Sequence, residues 1–451
     1  MASKTFPMSS EIHPPNNLLD EPFAAVVAAN ADYEVQRASL QELVGSGASP
    51  EVLSQAHARL KVLKARHAEL VRASKAVAPK TCGRGWASYP PRMDVPRDLT
   101  DPRFVQSFAI ADHDEARAFM SEYGFVVFRD AISDEECVRS RDEIWSYLEN
   151  RVAGFSREDP TTWRLLSDTD TGRYYDAYGL PPDNAIFSPQ ILQNRQHPNV
   201  VEAFQTLLGD DDILMSHDRW CLYRHTQTGA GKATRMNLHL DLHPWRYLHG
   251  HTRIEELRYQ EGHDRDWPLE IPRATAMDGP HVQGVLNLVD NFLEDGGTQL
   301  VPGFHGVFCN WQKDLGDEAD WVFQPGQETN WLQPGDGGSS FKFHEKDPIY
   351  ALAHRVPMKQ GSLLVWDQRL VHGSCPNASS RVRMAQFLRA FRRAPLSSER
   401  LTARALAVHR KVEAAGLCGQ VSALGARVFG WEHLPPEMQR QGPDHEGQGS
   451  T

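Results

Sequence analysis

The residues best suited to chemistry lie in two separated segments. In RMNLHLDLHPWRY, residues 235–247, His239 and Asp241 are two positions apart in a run typical of a β-strand. Alternate residues of a strand point to the same face, so these two side chains project together. His372 follows a second apolar run much later in the chain. Two imidazoles and one carboxylate on one face are a ligand set typical of non-haem Fe(II) sites, which keep other coordination positions open.

Basic residues follow His372 at a spacing that suggests an anion site. Arg383 lies eleven residues after His372, on the strand expected after the turn, with Arg381 two residues before it. A guanidinium fork suits bidentate binding of a carboxylate, and 2-oxoglutarate combines such a carboxylate with a 2-oxo-acid end that chelates iron. We expect Arg383 to be the anchor, with Arg381 as the alternative, and Ser374 to add a hydroxyl donor.

For two other residues near these segments the sequence gives weaker evidence of a role in the site. Thr298, after Gly296 and Gly297, either lines the pocket or only begins a strand. His243 lies two residues beyond Asp241, but the proline that follows it interrupts the strand, so we do not expect it to be a ligand.

Several motifs, in this order along the chain, resemble the phytanoyl-CoA dioxygenase (PhyH) family of Fe(II)/2-oxoglutarate oxygenases. The resemblance rests on EYGFVVFRDAIS from residue 122, the His-x-Asp pair, VLNLVDNFLEDGGTQLVPGFH from residue 285, the HGS at 372–374, and Arg383. It covers about residues 100–392. Each motif is modest alone, but their order is specific.

The resemblance implies a fold, a chemistry and a set of site residues. The implied fold is a double-stranded β-helix (jelly-roll, cupin-like) core with flanking helices. Fe(II) is the implied metal, 2-oxoglutarate and O2 are the cosubstrates, and ascorbate is a stimulatory reductant. Arg383 and Ser374 are implied for 2-oxoglutarate, and Trp245 for the substrate pocket. The implied iron ligands are His239, Asp241 and His372.

The elements that must position these residues follow from the sequence pattern. From about residue 200 to 392 short β-like runs separated by turn residues dominate, which favours a sandwich or barrel. The strand GFVVFRD precedes a helix that Ser133 is expected to cap. We expect disorder over 1–20, a helical extension over 21–80, the oxygenase domain over 81–400, and a C-terminal helix with a polar tail over 401–451.

Residues 306–350 are polar, rich in Gly and Pro, and contain Trp311, Trp321 and Trp331. A long loop inside a compact domain is often functional. We expect a lid that closes over the substrate, the alternative being a surface insertion without a role in the reaction.

Composition limits the partners and the compartment. A net charge of −11 disfavours binding to nucleic acid, and no apolar run has the length of a membrane span. The six cysteines form no CxxC pair, which indicates reduced thiols. With no signal peptide and no clear peroxisomal signal, we expect a cytoplasmic protein that acts on a small molecule, and the N-terminal helix pair is a candidate for homodimerisation.

The expected activity is oxidation of an unactivated C–H bond of a small natural-product or lipid-like molecule, by hydroxylation, desaturation or ring formation. Three alternatives stay open. A metal-dependent cupin-type isomerase or lyase needs no anchoring arginine, a protein hydroxylase acts on a larger substrate, and a degenerate binding module needs no intact metal ligands.

Overall fold

The computed structural model describes five residues between 32 and 43, and then 46–73, 83–169, 172–182, 186–225, 234–246, 282–321, 329–333, 340–393 and 398–439. The segment 1–20 and the tail after residue 439 lie outside these residues. By its internal contacts the chain divides into two compact units. One is Met1–Lys80 with Phe323–Glu328, and the other is Thr81–Val322 with Thr329–Thr451.

The smaller unit contains helix α1, Pro50–Ala73. Proline is favoured in the first turn of a helix, and the backbone N–H of Val52 donates to the Ser49 hydroxyl at 3.5 Å. One face of the helix is less exposed than its neighbours, as the spacing of its apolar residues predicts: Leu53, Ala56, Leu60 and Leu63.

The described helices of the larger unit are α2 (His113–Tyr123), α3 (Asp134–Arg151), α4 (Gly172–Tyr178), α5 (Pro189–Gln196), α6 (Pro198–Leu208), α7 (Phe304–Asp314), α8 (Ser398–Ala414), α9 (Ala423–Phe429) and α10 (Pro436–Gln439). Helix α3 begins as the sequence predicts. The Ser133 hydroxyl accepts from the Glu136 N–H at 3.2 Å, and the Glu136 carboxylate accepts from the Ser133 N–H at 2.8 Å. This reciprocal pair satisfies N–H groups that the helix itself leaves free.

The described strands are β1 (Phe125–Phe128), β2 (Ile213–Met215), β3 (Trp220–Tyr223), β4 (Asn237–Leu240), β5 (Val282–Asn287), β6 (Gly297–Leu300), β7 (Trp331–Gln333), β8 (Ser340–Phe343), β9 (His354–Arg355), β10 (Leu363–Asp367), β11 (His372–Cys375) and β12 (Arg383–Arg392). Sheet 1 has the order β1-β10-β5-β12-β2, with β3 also paired to β12, and sheet 2 has the order β7-β8-β4-β11-β6-β9. All pairs within the two sheets are antiparallel.

The two sheets face each other and enclose a group of polar side chains. From sheet 1, Arg383 donates a hydrogen bond to Thr298 of sheet 2, and Arg389 donates one to Asp241, which follows β4 of sheet 2. The opposite face of sheet 1 is covered by helices, and Gly284 of β5 leaves room for the Phe204 ring of α6. A Cβ at Gly284 would lie 2.9 Å from that ring. The expected double-stranded β-helix with flanking helices is therefore confirmed.

Residues 306–350 differ from the long loop expected from the sequence. Their described part forms most of α7, a short 3-10 helix at Glu318–Trp321, and strands β7 and β8, of which β8 pairs with β4. Trp311 and Trp321 are buried in the core, whereas Trp331 is half-buried. The sequence did not predict these elements because each is short and Gly/Pro-rich residues separate them. A lid function for the segment stays a prediction.

No described helix is both long and apolar enough to cross a bilayer. The five cysteines of the described chain are free thiols: Cys137, Cys221, Cys309, Cys375 and Cys418.

Candidate active site

The three predicted metal ligands converge at the centre of sheet 2. His239 is in β4, Asp241 follows that strand, and His372 begins β11 directly opposite His239 in the register. Asp241 Oδ1 lies 3.4 Å from His239 Nε2, and Asp241 Oδ2 lies 3.7 Å from His372 Nε2. One ligand atom from each residue lies within 4.8 Å of the others. The three side chains could therefore hold one metal ion.

Hydrogen bonds fix both imidazoles with Nε2 towards the common centre. His239 Nδ1 lies 3.0 Å from the Asn237 side-chain oxygen, and His372 Nδ1 lies 2.9 Å from the Leu370 carbonyl. Each oxygen can only accept a hydrogen bond, so Nδ1 carries the hydrogen and Nε2 is the nitrogen whose lone pair the neutral ring offers to a metal. Burial, with the nearby charge of Lys342, lowers the pKa of His239 to about 3. His239 is therefore neutral near pH 7, as metal binding requires.

Asp241 is oriented by two residues of sheet 1. Its Oδ2 accepts from Gln283 Nε2 at 3.0 Å and from Arg389 Nη2 at 2.8 Å. Burial acts to raise the pKa of Asp241, but His239, His372 and the Arg389 charge outweigh it and hold the pKa well below its usual range. The carboxylate is therefore ionised. Neither partner was predicted from the sequence. The available signal is that Gln283 and Arg389 are both polar and lie opposite each other on the paired strands β5 and β12.

Arg383 is a buried cation without a carboxylate partner among the described residues. It is 1% exposed, and its guanidinium donates to Cys221 Sγ at 3.3 Å and to Thr298 Oγ1 at 3.2 Å. The guanidinium also lies over the Tyr223 ring, 4.7 Å from its centroid, and its Nε has no partner. An unpaired buried charge is costly, so this position favours a bound anion.

Gly297 makes room for that guanidinium. Its φ is +102°, and a Cβ there would lie 2.4 Å from Arg383 Nε. Any other residue at position 297 would have a strained backbone at this φ, and its Cβ would collide with the Arg383 side chain.

Arg381, the alternative anchor, already has carboxylate partners. Its guanidinium contacts Glu294 Oε1 and Asp295 Oδ1, both at 2.6 Å, and the side chain is 45% exposed. Its charge is balanced at the rim of the fold. The geometry therefore favours Arg383 over Arg381 as the site for a cosubstrate carboxylate.

Ser374 and Thr298 lie opposite each other on β11 and β6. Thr298 accepts a hydrogen bond from Arg383, while the Ser374 hydroxyl donates to the Arg235 carbonyl at 3.1 Å and accepts from Asn237 Nδ2 at 2.7 Å. Because Asn237 also accepts from His239, Ser374 is connected to a predicted iron ligand through one side chain.

Trp245 lies in an aromatic cluster. Its Nε1 donates to the Gly316 carbonyl at 2.6 Å, and its ring centroid lies 6.1 Å from those of Trp321 and Phe341. Its expected contact with substrate stays a prediction. His243 Nε2 lies 3.0 Å from Glu318 Oε1, and within the described chain the group of metal-ligand atoms is formed by His239, Asp241 and His372.

Comparison with known proteins gives a consistent result. The family model for phytanoyl-CoA dioxygenase (PhyH) matches residues 120–385. A putative phytanoyl-CoA dioxygenase of Dictyostelium discoideum is 34% identical over 284 residues, which are 62% of this chain and 76% of that protein. Ava biosynthesis cluster protein O of Aspergillus versicolor is 25% identical over 276 residues, which are 59% of this chain and 73% of that protein.

Solved structures with detectable similarity are more distant. The epimerase SnoN, solved with Fe3+, alpha-ketoglutarate and nogalamycin RO, has a TM-score of 0.38 and 13% identity over 62% of this chain and 84% of its own. EctD from S. alaskensis has a TM-score of 0.35 and 15% identity over 68% of this chain and 88% of its own.

The family match covers more than half of the chain and includes His239, Asp241, His372 and Arg383. It confirms the resemblance found in the sequence and the expected class of enzyme, a non-haem iron dioxygenase that uses 2-oxoglutarate. The chain belongs to the phytanoyl-CoA dioxygenase (PhyH) family.

Proposed function

We propose that this enzyme oxidises an unactivated C–H bond of a small organic molecule, with Fe(II) bound by His239, Asp241 and His372 and with 2-oxoglutarate anchored by Arg383. The observation that carries the proposal is a pair of features enclosed by the same two sheets. One is a convergent set of two imidazoles and a carboxylate, and the other is a buried guanidinium without a carboxylate partner in the described chain.

The donor set suits Fe(II). Two imidazole Nε2 atoms and one carboxylate occupy one face of a metal and leave positions for a chelating cosubstrate and O2. Bound there, iron supplies the oxidation of a C–H bond by O2 coupled to decarboxylation of 2-oxoglutarate to succinate. Asn237 and the Leu370 carbonyl hold the imidazoles, and Gln283 and Arg389 hold the carboxylate, so the ligands are oriented before the metal binds.

Arg383 selects the cosubstrate in this proposal. Its two Nη atoms match the two oxygens of a carboxylate, and Thr298 and Ser374 place hydroxyls on the neighbouring strands. A cupin-type isomerase or lyase has no use for a buried arginine at this position, so Arg383 supports an oxygenase over that alternative.

Hydroxylation is the outcome we propose first, with desaturation or ring formation as alternative fates of the same substrate radical. One curated relative is a biosynthesis cluster protein, which supports a natural product as the substrate class.

The proposal is tested by a metabolite screen for succinate release. Purified enzyme with Fe(II), 2-oxoglutarate and O2 is incubated with metabolite fractions, and His372→Ala is the matched control. We expect one or more fractions to raise succinate formation above the substrate-free rate in the wild type alone. Equal succinate formation by the wild type and His372→Ala in every fraction, including none, would contradict the proposal.

A further inference from the structure

Lys342 lies beside the predicted metal site but belongs to no motif. It is in β8, which pairs with β4, and its Cα lies opposite that of His239. Residues directly opposite each other in an antiparallel pair project from the same face of the sheet. The alternation along β8 agrees, because Phe341 and Phe343 are buried in the aromatic cluster around Trp311 on the other face. The Lys342 side chain therefore shares the side of the sheet that His239 occupies.

No ion pair or hydrogen bond balances the Lys342 ammonium in the described part of the chain. The carboxylate whose charge acts on Lys342 is that of Asp241, which already accepts hydrogen bonds from Arg389 and Gln283. Burial lowers the pKa of Lys342, and the Asp241 charge acts against that effect. A half-buried ammonium without a close counter-ion favours an anion that arrives with a ligand.

Lys342 and Arg383 lie on opposite sides of the predicted metal site. In sheet 2 the order is β8-β4-β11-β6, and Arg383 contacts Thr298 on β6. At about 4.8 Å between neighbouring strands, β8 and β6 are roughly 14 Å apart. A 2-oxoglutarate molecule held by Arg383 would occupy the β6 side. The β8 side is then left for the substrate.

Trp331 extends this surface. It lies on β7 opposite Lys342 and therefore on the same face as Lys342 and His239. A cation with an aromatic ring beside it suits an organic acid that has an apolar body.

We propose that Lys342 binds a carboxylate of the primary substrate and so holds the C–H bond to be oxidised near the metal. This inference rests on the proposed function for the identity of the metal and cosubstrate. It adds a substrate class, an organic acid, and a residue that determines specificity.

Matched acid and amide probes test this directly. Isothermal titration measures the binding of phenylacetate and cinnamate, and of their primary amides, to the anaerobic enzyme with and without Fe(II) and 2-oxoglutarate. The variants are Lys342→Met and Lys342→Arg, with the exposed Lys346→Met as control. We expect the wild type to bind the acids about tenfold or more tightly than the amides, as a charged hydrogen bond implies. Lys342→Met should lose that preference, whereas Lys342→Arg and Lys346→Met should keep it.

Three results would overturn the proposal: no acid binding by the wild type, an acid preference that survives in Lys342→Met, or a rise of more than about tenfold in the 2-oxoglutarate Kd of Lys342→Met. The last would assign Lys342 to the cosubstrate. Failure of the wild type to bind Fe(II) and 2-oxoglutarate would count against the proposed function, whereas an acid preference that Lys342→Met loses in the titrations without metal would still assign the acid to Lys342.

Discussion

Arg381 and Arg383 are two residues apart, yet their electrostatic surroundings are opposite. Arg381 is half-exposed and paired with two carboxylates, whereas Arg383 is buried against Cys221, Tyr223 and Thr298 without one in the described chain. The presence or absence of a carboxylate partner therefore distinguishes an arginine that stabilises the fold from one that is proposed to bind the cosubstrate. Sequence spacing alone does not make this distinction.

We predict that Arg383→Ala raises the apparent KM for 2-oxoglutarate far more than the KM for substrate. Loss of one partner of a buried charged pair costs about 2–5 kcal/mol, which corresponds to roughly 30-fold to several-thousand-fold. Initial rates of succinate formation at varied 2-oxoglutarate measure the effect.

Arg381→Ala is the matched control for that measurement. It should lower stability, because buried Asp295 loses its partner, and should leave the KM for 2-oxoglutarate near that of the wild type. The reverse pattern, with the KM effect in Arg381→Ala alone, would mean that the anchor has been assigned to the wrong arginine.

The sequence predicted the residues of the site that belong to spaced motifs. His239, Asp241, His372 and Arg383 were identified by residue type and by the order and spacing of the motifs, although His372 lies opposite His239 only through the pairing of β4 with β11. The partners of Asp241 and the position of Lys342 depend on pairing between strands far apart in the chain, which no local pattern encodes. Asn237 lies two residues before His239, yet its role requires knowledge of the rotamers of both side chains.

At the scale of elements, apolar runs with β-branched residues predicted most of the strands of both sheets. β5 and β10 are mostly apolar and β12 is the longest described strand, so their signal is strong. The segment 306–350 was harder, because β7 and β8 are short and separated by Gly/Pro-rich residues, and because the residue before α7, Gly303, has the left-handed conformation and offers no side-chain cap. The burial of Trp311 and Trp321 becomes evident only from tertiary packing.

We predict that Trp311→Ala lowers the free energy of unfolding by about 3–5 kcal/mol, because α7 packs this fully buried ring against Phe304, Phe308 and Phe341. Urea denaturation measures the change. The exposed Leu293→Ala serves as a control that should stay within about 0.5 kcal/mol of the wild type. Wild-type stability in Trp311→Ala would indicate that α7 detaches easily, as a lid would.

At the scale of the whole molecule, a core histidine couples stability to pH. His217 is buried between the rings of Phe187 and Phe429. Burial, followed by the charges of Arg404 and Arg195, holds its pKa well below the usual range. The unfolded chain binds a proton near pH 6.5 and the folded chain does not, so stability falls as pH drops below about 6.5.

We predict that His217→Phe reduces this pH dependence. Between pH 7.5 and 5.5 the wild type should lose about 1.4 kcal/mol more free energy of unfolding than the variant. Denaturation at the two pH values gives the change in the free energy of unfolding within each protein. Any effect of the substitution that does not depend on pH therefore cancels. Equal losses in the two proteins would mean that His217 titrates with the same pKa in the folded and the unfolded chain, and would contradict the prediction.

Dimerisation through the N-terminal helices stays a prediction. If it occurs through the less exposed face of α1, Leu60→Glu and Leu63→Glu should convert a dimer into a monomer in light scattering, whereas Val62→Glu, 66% exposed, should not. A monomeric wild type at micromolar concentration would exclude this interface.

The central claim is that His239, Asp241 and His372 bind the iron to which 2-oxoglutarate coordinates. Anaerobic addition of Fe(II) and then 2-oxoglutarate should give the wild type a weak visible charge-transfer band, the signature of iron chelated by a 2-oxo acid. His239→Ala should show no band, and Arg383→Ala should require much more 2-oxoglutarate to reach the same intensity. A band that survives unchanged in His239→Ala, or a wild type that forms none, would contradict the account.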